Sequence, residues 1–297
     1  MKIKINKKYN PNSDINIIHG DCKKVLNQID DSSIQLIVTS PPYNIGKEYE
    51  KKYPLDEYIN EQSEIISLCS KKINDEGSIC WQVGNFIQKT KNKSEVYPLD
   101  IALYDLFKEN DLQLRNRIVW HFGHGQHPKN RFSGRHETIL WFTKTDDYVF
   151  NIDDIRVPQI YPGKKNYKGP RKGEYSGNKK GKNPSDIWNL PNVKANHVEW
   201  TEHPCQFPLA LVKRLIKGLS HQNDIIFDPY LGSGTSVAAA VQLGRKAIGS
   251  ELNKKYCEIA LKRTQQAIDK DKKLPERGEE PPYVPPKNTK LTTNPWK

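Results

Sequence analysis

A chain of 297 residues with a 35% hydrophobic content can bury one large core, or a core with a subdomain, without disulfide staples. Five dispersed cysteines (Cys22, Cys69, Cys80, Cys205, Cys257) with no C-x-x-C pair argue against a disulfide framework or structural zinc module. With no membrane-length apolar run and no signal-like leader after the basic N-terminus, they fit a soluble protein of the reducing cytoplasm. Lys and Arg number 47 against 35 acids, leaving a net charge of +12, and such a field gathers polyanions such as nucleic acids.

Residues 15–22 read as a short buried strand ending at a Gly-Asp turn, 23–29 as a short helix, and 34–39 (IQLIVT) as an apolar, β-branched strand running into SPPYN. Residues 55–73 carry helical spacing, with Leu55, Ile59, Ile65, Ile66, Leu68 and Ile73 on one side. A strand is expected over 77–85, a helix over 97–110, and strands over 114–122 and 136–144. From about 145 to 200 the texture changes, and 161–182 has no hydrophobic period at all. Order resumes with an amphipathic helix at 207–219, a strand at 224–228, a Gly-rich turn at 229–235, an Ala-rich helix at 236–244, a strand at 246–251 and a helix at 253–270. The tail from 271 holds six prolines and is expected to be mobile. Alternating strands and helices of this kind predict an α/β domain with a largely parallel sheet.

The first chemical signal is FDPYLGSGTSVAAAVQLGRKAIGSELN. The strand delivers Asp228 and then Pro229 to the sheet edge, Gly232 and Gly234 allow a sharp turn, and a helix starts near Thr235 with free N–H groups facing a ligand. The next strand ends in Glu251, placed to accept hydrogen bonds from ribose hydroxyls. An acid ahead of only two close glycines departs from the dinucleotide pattern and suits a sulfonium-bearing ligand, which points to S-adenosylmethionine.

The second signal is Thr39-Ser40-Pro41-Pro42-Tyr43-Asn44 directly after a strand. Two prolines fix the backbone. The Pro41 carbonyl and the Ser40 hydroxyl can accept from an amino group and free its lone pair for attack, while Tyr43 offers a face for a base, a contact of about 1–3 kcal/mol.

Together the two motifs resemble those of the amino-DNA methyltransferases, in which (D/N/S)-P-P-(Y/F/W) is catalytic and DPFxGSGT-like loops bind S-adenosylmethionine. With the catalytic loop first and the cofactor loop late, the order is similar to the β class, a circular permutation of a Rossmann-like S-adenosylmethionine methyltransferase sheet carrying a small basic insertion. The resemblance covers roughly residues 15–265. It implies a catalytic half (1–144), a target-recognition region (145–200) and a cofactor half (201–270) of one domain, before the tail (271–297). It also implies that the two loops leave adjacent parallel strands at one sheet edge. Gly20-Asp21-Cys22 resembles the segment near the cofactor adenine. His203-Pro204-Cys205-Gln206-Phe207-Pro208 resembles the motif closing over the methionine end, so Phe207 joins the cofactor set. Tyr230 stands where Phe is commoner, and Gln206 where Lys is.

The expected chemistry is direct SN2 transfer to an exocyclic nitrogen of a base flipped out of duplex DNA. SPPY resembles the N4-cytosine type, with N6-adenine the alternative and a non-catalytic nucleic-acid binder a distant one. A small-molecule or RNA methyltransferase is disfavoured by the basic insertion. Pro204-Cys205-Gln206 invites comparison with C5-cytosine enzymes, but no Glu-Asn-Val segment accompanies it, so Cys205 reads as a packed thiol. His121, His124 and His127 read as part of a DNA-facing loop rather than a metal site, since methyl transfer needs no metal. Residues 161–182 hold eight Lys/Arg against one acid, interleaved with Tyr161, Tyr167 and Tyr175. Lys164, Lys165, Lys168, Arg171 and Lys172, with Arg131 and Arg135, are the expected DNA contacts. The resemblance further implies a restriction–modification setting with a cognate endonuclease. Monomer and dimer both stay open.

Overall fold

Ile34–Thr39 is buried at every one of its six positions, which only a strand covered on both faces tolerates. In a computed structural model of the chain this strand sits inside a nine-stranded sheet. The structure describes residues 3–44, 46, 52–89, 91, 93–123, 125, 127–269, 274–278 and 289–296. Its strands are β1 (Ile5–Asn6), β2 (Ile15–His19), β3 (Ile34–Thr39), β4 (Ile73–Val83), β5 (Asn85–Lys89), β6 (Ser94–Pro98), β7 (Gln113–His121), β8 (His136–Thr143), β9 (Ile187–Asn189), β10 (Ile225–Asp228) and β11 (Lys246–Glu251). Its helices are α1 (Cys22–Leu26), α2 (Leu55–Lys72), α3 (Leu99–Ala102), α4 (Tyr104–Lys108), α5 (Ile152–Ile155), α6 (Leu209–Leu219), α7 (Thr235–Gln242) and α8 (Lys254–Ile268).

The sheet order is β1-β2-β11-β10-β3-β4-β8-β7-β9, with β5 and β6 forming a separate hairpin. From β1 to β4 every pairing is parallel, as expected. β8 then runs antiparallel to both β4 and β7, because the loop between β7 and β8 returns directly instead of crossing the sheet. Leu36 and Val38 pack with α6, α7 and α8 on one face, and Ile37 packs with α1, α2 and α4 on the other. Each strand thus contributes to two apolar layers, the arrangement that closes an α/β core.

Three elements differ from expectation. Helix α2 buries Tyr58, Gln62, Ile65, Ile66 and Cys69, so its inward stripe is rotated away from Leu55, Ile59 and Leu68, which are only partly covered. The helix expected over 97–110 starts as β6, where Tyr97 and Val96 pair with Phe86 and Ile87, and continues as two short helices that meet at Leu103. Cross-strand pairing overrides helix propensity there. Residues 145–200, where the texture changes and no strand is expected, contribute β9 to the sheet edge, and Trp120 donates its indole N–H to the Leu190 carbonyl at 2.8 Å.

Within 161–182 the backbone is pinned by isolated bridges, Val157 to Lys182 and Lys165 to Tyr175. Gly163 donates its N–H to the Leu291 carbonyl at 2.9 Å, and Tyr175 meets Trp296 edge-on at 5.7 Å. Nearer the start of the tail Leu274 is buried and Glu276 pairs with Lys213 at 2.5 Å. His124 and tail residues 271–273, 279–288 and 297 lie outside the described residues.

Candidate active site

Parallel strands β2, β3, β10 and β11 end at one edge, the edge where α/β sheets open a crevice. A cavity of about 500 Å³ occupies it. Its lining includes Ser40, Pro41, Pro42 and Tyr43 from the loop after β3, and Asp228, Pro229, Gly232 and Thr235 from the turn after β10. Asp21, Cys22, Phe207 and Glu251 complete the expected set. Gly234 stands behind the lining. Its φ is +79°, and a Cβ there would meet the Ala260 Cα at 2.7 Å, so its glycine serves the close approach of α7 to α8.

The two loops are joined directly. Thr39, the last residue of β3, donates its hydroxyl to the Asp228 carboxylate at 2.6 Å. Ser236 Oγ and the Tyr230 N–H donate to the same carboxylate. Burial raises the Asp228 carboxyl to about 6, with those hydrogen bonds pulling the other way. Asp228 therefore spends its hydrogen bonds on the protein and acts on the cavity through its charge. Glu251 accepts from the Gly232 N–H at 2.9 Å with one oxygen and from the Asn253 N–H at 2.8 Å with the other. A carboxylate has about four acceptor directions, and with the Leu252 N–H also bearing on it acceptor capacity still remains for a ligand.

The catalytic-type loop has its own lock. Asn44 lies in the left-handed region at φ 60°, tolerable for Asn, and its amide makes paired hydrogen bonds of 2.7 Å with the backbone of Tyr53. Tyr43 lines the cavity with its ring, while its hydroxyl donates to Glu137 Oε2 at 3.1 Å and meets Ser40 Oγ at 3.1 Å. Gln82 donates its amide to the same Glu137 oxygen. With the Tyr43 proton given to Glu137, the Ser40 proton must go to Tyr43, and Ser40 Oγ faces the cavity as an acceptor. A serine hydroxyl can in general donate or accept, and this network commits it. Burial raises both the Tyr43 hydroxyl and the Glu137 carboxyl.

Charge divides between surface and cavity. The cavity is lined by four carboxylates (Asp21, Glu61, Asp228, Glu251) and one ammonium (Lys23), although the whole chain carries +12. His203, also in the lining, is lowered to about 4 by burial and is neutral at pH 7. A Cβ on Gly232 would come within 2.9 Å of His203 Nε2. Gln62 is 1% exposed and donates to the Tyr230 hydroxyl at 3.0 Å, which accounts for Tyr at that position. No donor among the described residues reaches Gln62 Oε1, an acceptor on the cavity wall. From behind, Arg263 reaches the Ser233 carbonyl at 3.1 Å and Thr235 Oγ1 at 2.7 Å, bracing the glycine turn.

Cys205 is exposed in the cavity lining rather than packed, because the residues after His203 turn outward before α6. Arg131, Lys164, Lys165, Lys168, Arg171 and Lys172 are exposed, and half-buried Arg135 bonds the His127 ring. All lie outside the cavity. Glu137, Gln82, Gln62 and Arg263 were not legible as site residues. The acid near the start of β8 carries no motif, and Arg263 was one cation among many on an amphipathic helix. Thr39 opens the TSPPYN segment without a role of its own there, and a hydroxyl at a strand end facing an acid-bearing strand was the available signal.

Comparison with known proteins agrees with this geometry. A family described as DNA methylase matches residues 34–262. The chain is 45% identical over 260 residues to the type II methyltransferase M.BglII of Bacillus subtilis, covering 87% of this chain and 71% of that protein. It is 33% identical over 253 residues to the DNA adenine methyltransferase YhdJ of Escherichia coli K12, covering 83% and 81%. Among solved structures, the cytosine-N4-specific PvuII DNA methyltransferase superposes with a TM-score of 0.67 at 20% identity, over 86% of this chain and 91% of that one. The DNA modification methylase TTHA0409 of Thermus thermophilus, solved in complex with S-adenosyl-L-methionine, gives 0.61 at 22% identity over 84% and 93%. At such identities these two likenesses carry the fold.

Proposed function

The chain belongs to the DNA methylase family whose model spans residues 34–262, and on that premise we propose that it methylates the exocyclic N4 of cytosine in duplex DNA. The observation that carries this reading is the acceptor-only Ser40 Oγ, held beside the glycine turn by the bond between Thr39 and Asp228. A neutral acceptor and a prolyl carbonyl orient an amine without adding charge to it. An amine attack needs such orientation more than a base before the fact.

The residues present fit S-adenosylmethionine. Its sulfonium and ammonium are cations, and the cavity wall holds four carboxylates. Gln62 Oε1 awaits a donor, and the unbranched Gly232 leaves its backbone open to close approach beside His203. Glu251 keeps acceptor capacity for a diol. When bound, S-adenosylmethionine supplies an electrophilic methyl carbon on sulfur. Tyr43 offers its ring to an everted base, Ser40 and the Pro41 carbonyl take hydrogen bonds from the amine, and the Asp228 charge favours a cation in the cavity. Phe207 and a neutral His203 contribute to the cavity wall.

The cations of 161–182, with Arg131 and Arg135, are the proposed phosphate and base contacts. The relatives' naming as type II methyltransferases supports a role as the modification partner of a restriction endonuclease. N6-adenine is the second reading, favoured by the likeness to YhdJ. Incubating unmethylated DNA with the protein and labelled S-adenosylmethionine, then separating nucleosides by mass, tests both. N4-methylcytosine is expected, N6-methyladenine would replace the base assignment, and 5-methylcytosine would remove the site assignment.

A further inference from the structure

Glu137 is an acid of this region that the reaction, as described so far, leaves without a task. It sits at the start of β8, and antiparallel pairing with β4 sets it beside Gln82 and across from the loop after β3. Glu137 is half-buried, yet no Lys or Arg among the described residues pairs with its carboxylate. Enclosing an unpaired carboxylate is expensive, and such groups concentrate where protons move. Besides the Gln82 amide, its hydrogen bonds lead to Tyr43, and through Tyr43 to Ser40.

We propose that Glu137 is a positioning residue and the terminal proton acceptor of the transfer, drawing the proton shed by the methylated nitrogen through Ser40 Oγ and the Tyr43 hydroxyl. This rests on the amino-methyl transfer proposed above. The balance is simple. A nitrogen–carbon bond forms as the sulfur–carbon bond breaks, and the electron pair stays on sulfur. The nitrogen is left cationic with one proton too many. That proton passes to Ser40 Oγ, the Ser40 proton to the Tyr43 oxygen, and the Tyr43 proton to the Glu137 carboxylate. Each hop within the protein follows a hydrogen bond of 3.1 Å. No oxidant or further reactant enters.

Gln82 gives the device its polarity. Its amide donates to the same carboxylate oxygen, so that oxygen prefers to stay unprotonated until a proton arrives from Tyr43. Burial opposes this and raises the Glu137 carboxyl from its ordinary value. The titratable groups bearing on the relay, besides Glu137, are Tyr43 itself and Cys205 from the segment before α6, which acts on Tyr43. As pH falls through the Glu137 value the acceptor is lost, and the rate falls with it.

Single-turnover methyl transfer by the full chain, followed against pH for wild type, Glu137→Gln and Tyr43→Phe, tests the relay. Glu137→Gln keeps shape and a carbonyl for Tyr43, so KM for DNA and for S-adenosylmethionine should hold while kcat falls about 10²-fold, as for loss of a general base. The acidic limb should vanish with it. Tyr43→Phe should do the same, and the double variant should be no worse than either single one, as for groups acting in series. An active wild type whose Glu137→Gln form keeps both rate and acidic limb overturns the proposal. A second readout needs no turnover: the infrared carbonyl band of protonated Glu137, assigned by its loss in Glu137→Gln, should titrate at a different pH in Tyr43→Phe. An unmoved titration breaks the link between the two groups and overturns the proposal on its own. Failure of wild type to methylate DNA would instead strike the proposed function.

Discussion

Thr39 Oγ1 donates to Asp228 Oδ1 at 2.6 Å, across 189 residues of sequence, and so ties the serine-proline loop to the glycine turn. Both residues close their strands, β3 and β10, which pair in parallel. One hydroxyl therefore helps to set the separation of the two loops proposed to hold the reactants. Replacing Thr39 by Val removes that donor while keeping volume. A buried acceptor losing a partner costs about 1–3 kcal/mol. Denaturant unfolding should show that loss, and the Asp228 carboxyl should titrate higher still. Turnover should fall more than S-adenosylmethionine affinity, because the glycine turn keeps Arg263 and Glu251 as supports.

Asp228 makes a stability prediction of its own. Its folded value, about 6, lies above the ordinary 3.8, so the fold favours the protonated form. That contribution is whole below pH ~4 and is lost as pH rises through ~6, a swing of about 3 kcal/mol at 1.36 kcal/mol per unit. Asp228→Asn should flatten the stability profile between those limits. Equal slopes for variant and wild type, from unfolding at several pH values, would show that the carboxyl is not held as described.

Ser40→Ala deletes the acceptor that faces the cavity. Loss of one oriented hydrogen bond in the transition state lowers turnover about 10²-fold. Cofactor affinity should be nearly intact, since Glu251, Gln62 and the glycine turn are untouched. Rapid-quench kinetics with equilibrium cofactor titration separates the two, and unchanged turnover would remove Ser40 from its role.

Much of this was legible in advance, and the reasons are local. IQLIVT and KAIGSE are short apolar runs between turn residues, and both strands fall at 34–39 and 246–251 as expected. The two motifs announced themselves because prolines and glycines restrict or free the backbone visibly. Residues 97–110 misled because Leu99, Leu103 and Leu106 do keep a helical spacing, while Tyr97 and Val96 belong to a hairpin that spacing cannot show. Glu137 was hidden for a different reason. It meets Tyr43 from 94 residues away, through an antiparallel pairing of β8 with β4 that no local pattern encodes. The acidity of the cavity was equally invisible, because Asp21, Glu61, Asp228 and Glu251 converge only in three dimensions.

The two glycines of the turn should fail in different ways. A Cβ on Gly234 meets Ala260 backbone at 2.7 Å and sits at φ +79°, so Gly234→Ala strains the α7–α8 contact. The left-handed backbone alone costs about 1–3 kcal/mol, and the melting point should drop by about 2–4 °C per kcal/mol. A Cβ on Gly232 meets the ring of His203 instead, a side chain that can give way into the cavity. Gly232→Ala carries the same kind of left-handed strain at φ +50° but spares the α7–α8 contact, so it should lose less stability than Gly234→Ala and more cofactor affinity. The opposite ranking in calorimetry and binding would reverse the parts assigned to these two positions.

The basic segment separates binding from chemistry. Lys164, Lys165, Lys168, Arg171 and Lys172 are exposed and lie outside the cavity, whose own wall is acidic. On the proposed assignment a duplex is drawn to the outer surface and a cation to the cavity, so the two ligands do not compete for one field. Neutralising the five residues to Gln should weaken DNA binding and make it less salt-dependent. Each lost phosphate contact removes about 0.9 from the slope of log affinity against log salt. S-adenosylmethionine affinity should not change, because none of the five contributes to the cavity. A variant that binds DNA with the wild-type slope would move the phosphate contacts elsewhere, with Arg131 and Arg135, between β7 and β8, as the next candidates.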